Sequence, residues 1–195
     1  MKNLRKSFNS TICAGRVLGS PRKTEKGYYV TLGDGKEKAD FFFMNNEKIN
    51  WHTTMPKLKL EDGKYIAIIG SESKDGKSYF GNKILFPNTT APIYNPDKKE
   101  VGAVVYFGNV GNIERKDDKV QTSLPVRDGQ ETTWLRGTFA DNEHVQLATQ
   151  AEKFLGKGDL VLIVGSPINE QYNSTWVNSF NLIKKKTAPK AEDQE

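Results

Sequence analysis

The sequence predicts an all-β protein with a minor helix, built as two tandem five-stranded barrels. One phrase is written twice: residues 61–71 read EDGKYIAIIGS and residues 156–166 read GKGDLVLIVGS. Each copy is an apolar run closed by Gly-Ser, the pattern of a buried strand. Each copy leads into a hairpin, and each half opens on a strand with an internal glycine, STICAGRVLG and AVVYFGNVG. Glycine inside a strand marks a bulge or bend, which a small closed barrel requires.

The elements then follow in matching order. After the strand holding Gly15, strands over 26–33 and 37–44 are joined through GDGK. A connector, NNEKINWHTTMPKLKLEDG, precedes KYIAIIGS, and its Pro56 limits it to a short helix starting near Thr54. In the segment after that strand, Asp75-Gly76 is a tight-turn signal. In the second half, the strand holding Gly108 is followed by strands over 119–127 and 131–139, joined through RDGQ. Leu147, Ala151, Phe154 and Leu155 then share one face of a helix that Asp141 or Asn142 can cap and Gly156 or Gly158 can end. DLVLIVGS follows, and a longer polar loop leads into the last strand. Three strands, a helix and a two-stranded hairpin is the element order of an OB-fold. The expected division is a first OB-fold over 1–90, a linker over 91–100 inside the proline-containing stretch 87–100, a second OB-fold over 101–183 and a disordered tail over 184–195.

Composition narrows the function. Residues 1–95 hold 16 Lys/Arg against 9 Asp/Glu, whereas residues 96–195 hold 13 against 15. A basic half beside a mildly acidic one suits a polyanion partner for part of the surface. No apolar run approaches the ~18 residues that span a bilayer, so no membrane association is expected. Cys13, the single cysteine, sits in an apolar-flanked run and is expected as a buried thiol in a reducing cytoplasm. His52 and His144 lie in different halves, and no Cys/His spacing suits a metal. Without a nucleophile elbow or phosphate loop either, the expectation is a binding protein, not an enzyme, with no cofactor.

Binding residues are more readily found. In TTWLRGTF, Leu135, Gly137 and Phe139 share the core-facing parity. Trp134 and Arg136 lie on the other face, where an indole can stack a base and a guanidinium can pair a phosphate. Packing of Trp134 under the connector helix is the competing reading. Parity also places Tyr29, Lys38 and Phe42 outward in the first half. Tyr106 and Phe107 are adjacent, so one should face out, and Tyr106 joins the candidates. Arg16 and Arg127 are the cations best placed in or at the end of strands. Trp176 completes the set, although a hairpin core or a subunit contact fits it equally well.

With those residues in place, YFGNVG, TTWLRGTF and AEKFLGKGDLVLIVGSP together resemble the bacterial-type single-stranded DNA-binding protein family. The resemblance spans about residues 103–183, and the first half joins it only through the repeat. It implies OB-folds that coat single-stranded DNA largely without sequence preference in replication, repair or recombination. Trp134 and Arg136 fall on the family's DNA-contacting pair. The Phe further along that strand, on which the family also stacks, has core-facing parity here as Phe139, so that role is not carried over. Branches of the family with two barrels per chain pair as dimers, which implies a homodimer. Replication or recombination proteins are the implied partners, yet the tail ends AEDQE and lacks the family's Pro-Phe recruiting tip. The short tail suits a phage or mobile-element version working in a host cytoplasm. An OB-fold protein-interaction or assembly factor and an RNA-binding protein stay open as alternatives.

Overall fold

The structure is a computed structural model and describes residues 4–33, 37–74, 76 and 78–187. Residues 34–36 of the GDGK join, Asp75 of the tight-turn signal, Lys77 and residues 188–195 of the expected tail lie outside the described residues. The first half forms β1 (Leu4–Ser7), β2 (Ser10–Val17), β3 (Arg22–Thr24), β4 (Gly27–Gly33), β5 (Lys38–Met44), α1 (Trp51–Thr54), a 3-10 turn (Met55–Leu58), β6 (Tyr65–Glu72) and β7 (Tyr79–Leu85). The second half forms β8 (Thr89–Asn95), β9 (Glu100–Asn109), β10 (Ile113–Lys116), β11 (Lys119–Asp128), β12 (Glu131–Ala140), α2 (Leu147–Phe154), β13 (Leu160–Gly165) and β14 (Ser174–Lys184). The chain is therefore nearly all-β.

In the first sheet, strands run in the order β1-β2-β6-β7-β5-β4-β3, and β2 also pairs with β4. That extra pairing, Arg16 with Gly33 and Val17 with Leu32, closes β2, β6, β7, β5 and β4 into a five-stranded barrel. The second sheet runs β10-β11-β12-β14-β13-β9-β8. Its strands repeat the order of the first, including one parallel pair, β12 with β14, in the place of β5 with β7. No ladder joins β9 to β11 among the described residues, so this sheet does not close as the first does. The seam is bridged instead by the chain just after β9, where Gly111 N–H donates to the Ser123 carbonyl at 2.7 Å and Ser123 N–H to that of Asn112 at 3.0 Å, and by the Tyr106 hydroxyl, which donates to the Pro125 carbonyl at 3.2 Å.

The repeated phrase has a physical cause. The ladder slips by a residue at Gly70 in β6 and at Gly165 in β13. At these bulges the returning hairpin strand crowds the glycine. A Cβ on Gly70 would sit 1.9 Å from the Phe80 carbonyl oxygen, and one on Gly165 would sit 2.4 Å from Thr175 Oγ1. Each half requires a residue without a side chain where its bulge forms.

Three apolar clusters hold the chain. One fills the first barrel around Phe41, Phe43, Trp51 and Ile66, with Cys13 buried among them. A second lies inside the second sheet around Leu124, Leu135, Phe139, Ala148, Ala151 and Ile163. The third joins the halves: Ile12, Ala14 and Ile69 of the first meet Ile93, Val105, Phe107 and Leu162 of the second. Burying both faces of β2, β6, β9 and β13 explains their continuous apolar runs. The Arg5 guanidinium in β1 adds polar ties across the halves, to Asn181 Oδ1 and to the Phe180 carbonyl of β14.

Several expectations are corrected. The stretch read as a linker over 91–100 contains most of β8, which pairs with β9. Its prolines suggested a linker, but an edge strand accepts Pro92 because one side of the strand needs no N–H. Among the described residues each sheet has seven strands where five were expected. The first connector helix begins at Trp51, earlier than Thr54, because Asn50 caps it by accepting from the His52 N–H. Pro56 falls in the first turn of the 3-10 segment, where its missing N–H costs nothing. Asp141 does serve the start of α2, accepting from the Ala148 N–H at 2.8 Å and the Thr149 N–H at 3.1 Å. The segment assigned to the tail from residue 184 is tied down at its start: Lys185 Nζ and the Lys186 N–H both donate to the Asp159 carboxylate.

Candidate nucleic-acid interface

The register of β10, β11, β12 and β14 assembles one outer face. Cross-strand partners point the same way, and Arg136 pairs with Ser123 on one side and Ser174 on the other. Trp134 pairs with Pro125, Arg127 with Thr132, and Thr138 with both Gln121 and Trp176. Lys119 of β11 stands beside Lys116 of β10. The face thus carries Trp134, Trp176, Arg136, Lys116, Lys119 and Arg127, while Leu135 and Phe139 of β12 turn inward and are buried. Phe139 meets Phe180 edge-on in the core, so it has no outward stacking role.

Each aromatic group is held in a usable pose. Trp134 is 57% exposed, and its ring edge lies where a Cβ on Gly111 would come within 2.7 Å of it. Glycine at 111 thus lets the indole lie against the backbone. Its own backbone is pinned, since its carbonyl accepts from Asn173 Nδ2 at 2.7 Å and the Arg136 N–H donates to the Asn173 carbonyl at 2.9 Å. Trp176 is 52% exposed, with Lys119 Nζ 5.4 Å from its ring centroid. A cleft of about 280 Å³ separates β10–β12 from the loop before β14 and is lined by Trp134, Arg136, Gln121, Lys116 and Tyr172. Lys116 also meets Glu114 at 2.9 Å, the one carboxylate on the cleft wall among the described residues.

Sequence reasoning missed Tyr172. It projects from the polar loop NEQYNS and is 62% exposed on the cleft that Trp134 lines. Loop residues have no parity, so the usable signal was a lone aromatic in a polar loop longer than its counterpart in the first half.

The other candidates divide. Tyr106 is corrected: it is fully buried, and its hydroxyl donates to the Asn109 carbonyl at 2.9 Å. Burial pushes its phenol pKa well above the usual range. Neither Tyr106 nor Phe107 faces out, because the first half covers the far face of β9. In the first barrel, Tyr29, Lys38 and Phe42 do share an outer face, and Arg16 stands in the same cross-strand row as Lys38 through Gly33. Yet the rings there pack on one another. Tyr29 and Phe42 have centroids 4.7 Å apart, Phe80 meets Phe42 at 6.4 Å, and Arg22 lies 5.4 Å from the Tyr29 ring.

No family model matches this chain, and no curated protein matches it. Solved structures are similar to it at low identity. The mitochondrial single-stranded DNA binding protein Rim1 of S. cerevisiae aligns with a TM-score of 0.36 and 16% identity, over 43% of this chain and 95% of its own. The single-stranded DNA binding protein of Thermus aquaticus aligns with a TM-score of 0.34 and 17% identity, over 95% of this chain and 97% of its own. The Ifi202 HINa domain, solved with 20-bp double-stranded DNA, aligns with a TM-score of 0.29 and 14% identity over 93% of this chain and 98% of its own.

Proposed function

We propose that this chain is a tandem OB-fold protein that binds single-stranded DNA, largely without sequence preference, through the outer face of β11, β12 and β14. The observation that carries this reading is the alternation on that face of exposed rings, Trp134, Trp176 and Tyr172, with the cations Arg136, Lys119, Lys116 and Arg127. Rings that present a free face stack any base, at ~1–3 kcal/mol each, and interleaved cations pair with the phosphates between them. Such a site favours an unpaired strand, because a duplex keeps its bases stacked on one another. The shared strand order of the two sheets supports reading both as OB-folds, the second with a looser seam between β9 and β11. Coating strands exposed in replication, repair or recombination is the role this chemistry fits.

Titration of tryptophan fluorescence with oligo-dT tests the proposal. The expected result is a saturable quench whose affinity falls steeply with salt. Absence of both a quench and a mobility shift at low salt overturns it. The double variant Trp134→Ala, Arg136→Ala should lose binding with its circular dichroism unchanged. If that variant still binds DNA as tightly as the wild type, this face is not the site. Competition with a matched RNA oligomer separates DNA from RNA as the preferred strand.

A further inference from the structure

Where the two halves meet, a groove of about 490 Å³ opens at the far end of β14 from Trp176. Its walls are Lys64 and Tyr65 from the first half and Leu160, Lys184, Lys185 and Lys186 from the second. No carboxylate lines it among the described residues. Asp159, close by in sequence, is buried, and its oxygens accept from Lys185 Nζ and from the backbone N–H groups of Gly156 and Lys186. That carboxylate is therefore engaged by Lys185. The remaining lysines have no acidic partner among the described residues. Lys184 Nζ lies 5.2 Å from the Tyr65 ring centroid, and Lys64 Nζ lies 5.8 Å from that of Phe86 while donating to the Lys59 carbonyl at 3.0 Å. An ammonium resting on a ring keeps protons free for another acceptor. The Lys186 stem crosses Gly158, where a Cβ would meet its Cδ at 2.5 Å and where φ is +91°. Glycine at 158 thus lets Lys186 lie along the groove floor.

We propose that this groove is a second phosphate-binding stretch, which takes the backbone of the single strand stacked on Trp134 and Trp176. This rests on the single-stranded DNA reading above. β14 connects the two places: Trp176 lies on the outer face and Lys184 on the groove, eight residues apart, which is about 26 Å at strand rise. A strand leaving the Trp176 ring along β14 passes exposed Asn178 and reaches three uncompensated lysines. Stacking is then the work of the outer face, and the groove supplies charge and lengthens the occluded site.

The test compares the full chain with the triple variant Lys64→Gln, Lys184→Gln, Lys186→Gln, using tryptophan quenching and oligo-dT of two lengths. An oligomer of about 8 nucleotides, within the span of one such barrel, should bind both proteins within about twofold. One of about 30 nucleotides should bind the variant at least about tenfold more weakly. Its log–log salt slope should be shallower by about 2, at ~0.7 per lost phosphate contact on a single strand. The Lys→Arg triple variant should restore the long-oligomer affinity. Wild-type affinity and slope for the long oligomer in the Gln variant would overturn the groove and leave the outer face standing. Equal losses in the Gln and Arg variants would also overturn it, since packing rather than charge would then be at stake. If neither length quenches the wild type, the single-stranded DNA reading fails and the groove with it. Should the triple variant fail to fold, Lys186→Gln alone, which removes no ring contact, should lower the slope by about 0.7, and an unchanged slope would overturn the proposal.

Discussion

The two halves build the same strands and then use their outer faces in opposite ways. On the first barrel, Tyr29, Phe42 and Phe80 occupy adjacent positions on β4, β5 and β7 and pack ring against ring. On the second sheet, the residues in matching places are Gln121, Thr138 and Trp176, and the exposed rings stand apart from one another, Trp176 with Lys119 beside it. Counting aromatics would favour the first face. Free ring area favours the second, because a ring packed against its neighbour has less surface to offer a base. The half with the larger excess of positive charge, residues 1–95, is also the one whose rings are spent on each other. Charge and stacking capacity have separated along the chain.

The largest effect expected from this comparison concerns the paired bulges. Gly70→Ala places a methyl against the fixed Phe80 carbonyl oxygen, and the next contacts are also backbone. Overpacking of that kind costs ~3 kcal/mol or more. Gly165→Ala first meets Thr175 Oγ1, a side-chain atom that can turn away by giving up its bond to the Ser166 carbonyl, and then the Trp176 carbonyl. Its cost should be ~1–2 kcal/mol, with Trp176 displaced. Urea unfolding should rank the two in that order, and oligo-dT binding should weaken in folded Gly165→Ala. Equal losses of stability would show that the two bulges resist a methyl alike and that the Thr175 side chain gives no relief.

Binding should part the two faces next. Trp134→Ala should cost ~2 kcal/mol of oligo-dT affinity with little change in stability. Phe42→Ala should do the reverse, losing ~2 kcal/mol of stability with its ring contacts and leaving affinity within about twofold. Urea melts and fluorescence titrations on both variants check this, and a comparable loss of affinity in Phe42→Ala would place the strand across both faces. A smaller contrast follows for charge. Arg136→Gln should lower the salt slope by ~0.7. Arg22→Gln should leave it unchanged, because Arg22 is already paired with the Asp40 carboxylate at 3.4 Å. A slope reduced by Arg22→Gln would bring the first face into the site.

What the sequence disclosed follows from which forces act locally. The long strands over 26–33, 37–44, 119–127 and 131–139 appear within about a residue of expectation, because alternation along a half-buried strand is a local signal. Trp134 and Arg136 fall on the exposed side of β12 for the same reason. The short strands β1, β3 and β10 were invisible, since each is held by pairing to a neighbour and buries little apolar surface of its own. Tyr106 misled because parity names two faces without saying that a second sheet covers one of them. The lysine groove was equally hidden: Lys64 and Lys184 are far apart in sequence and meet only through the packing of the halves.

The smallest expected effect compares one position of the repeated phrase. Gly63-Lys64-Tyr65 in the first copy matches Gly158-Asp159-Leu160 in the second, so a groove-lining lysine stands where the other half buries an acid. Burial opposes ionisation of Asp159, but the bonds from Lys185 Nζ and from the N–H groups of Lys186 and Gly156 outweigh it and hold the carboxyl pKa below its usual value. A carboxyl whose folded pKa is depressed stabilises the fold fully above the unfolded pKa of ~3.9 and loses that contribution as pH falls through the folded value. Acid should therefore loosen the second half first, at the junction of β14 with the chain before β13. Asp159→Asn should lower the melting temperature at neutral pH and flatten its decline below about pH 4. The Gly156 and Lys186 amide resonances of the wild type should titrate together in that range. An acid limb as steep in Asp159→Asn as in the wild type would mean that other carboxylates govern it, Asp141 first among them, whose pKa the Thr149 hydroxyl bond also lowers.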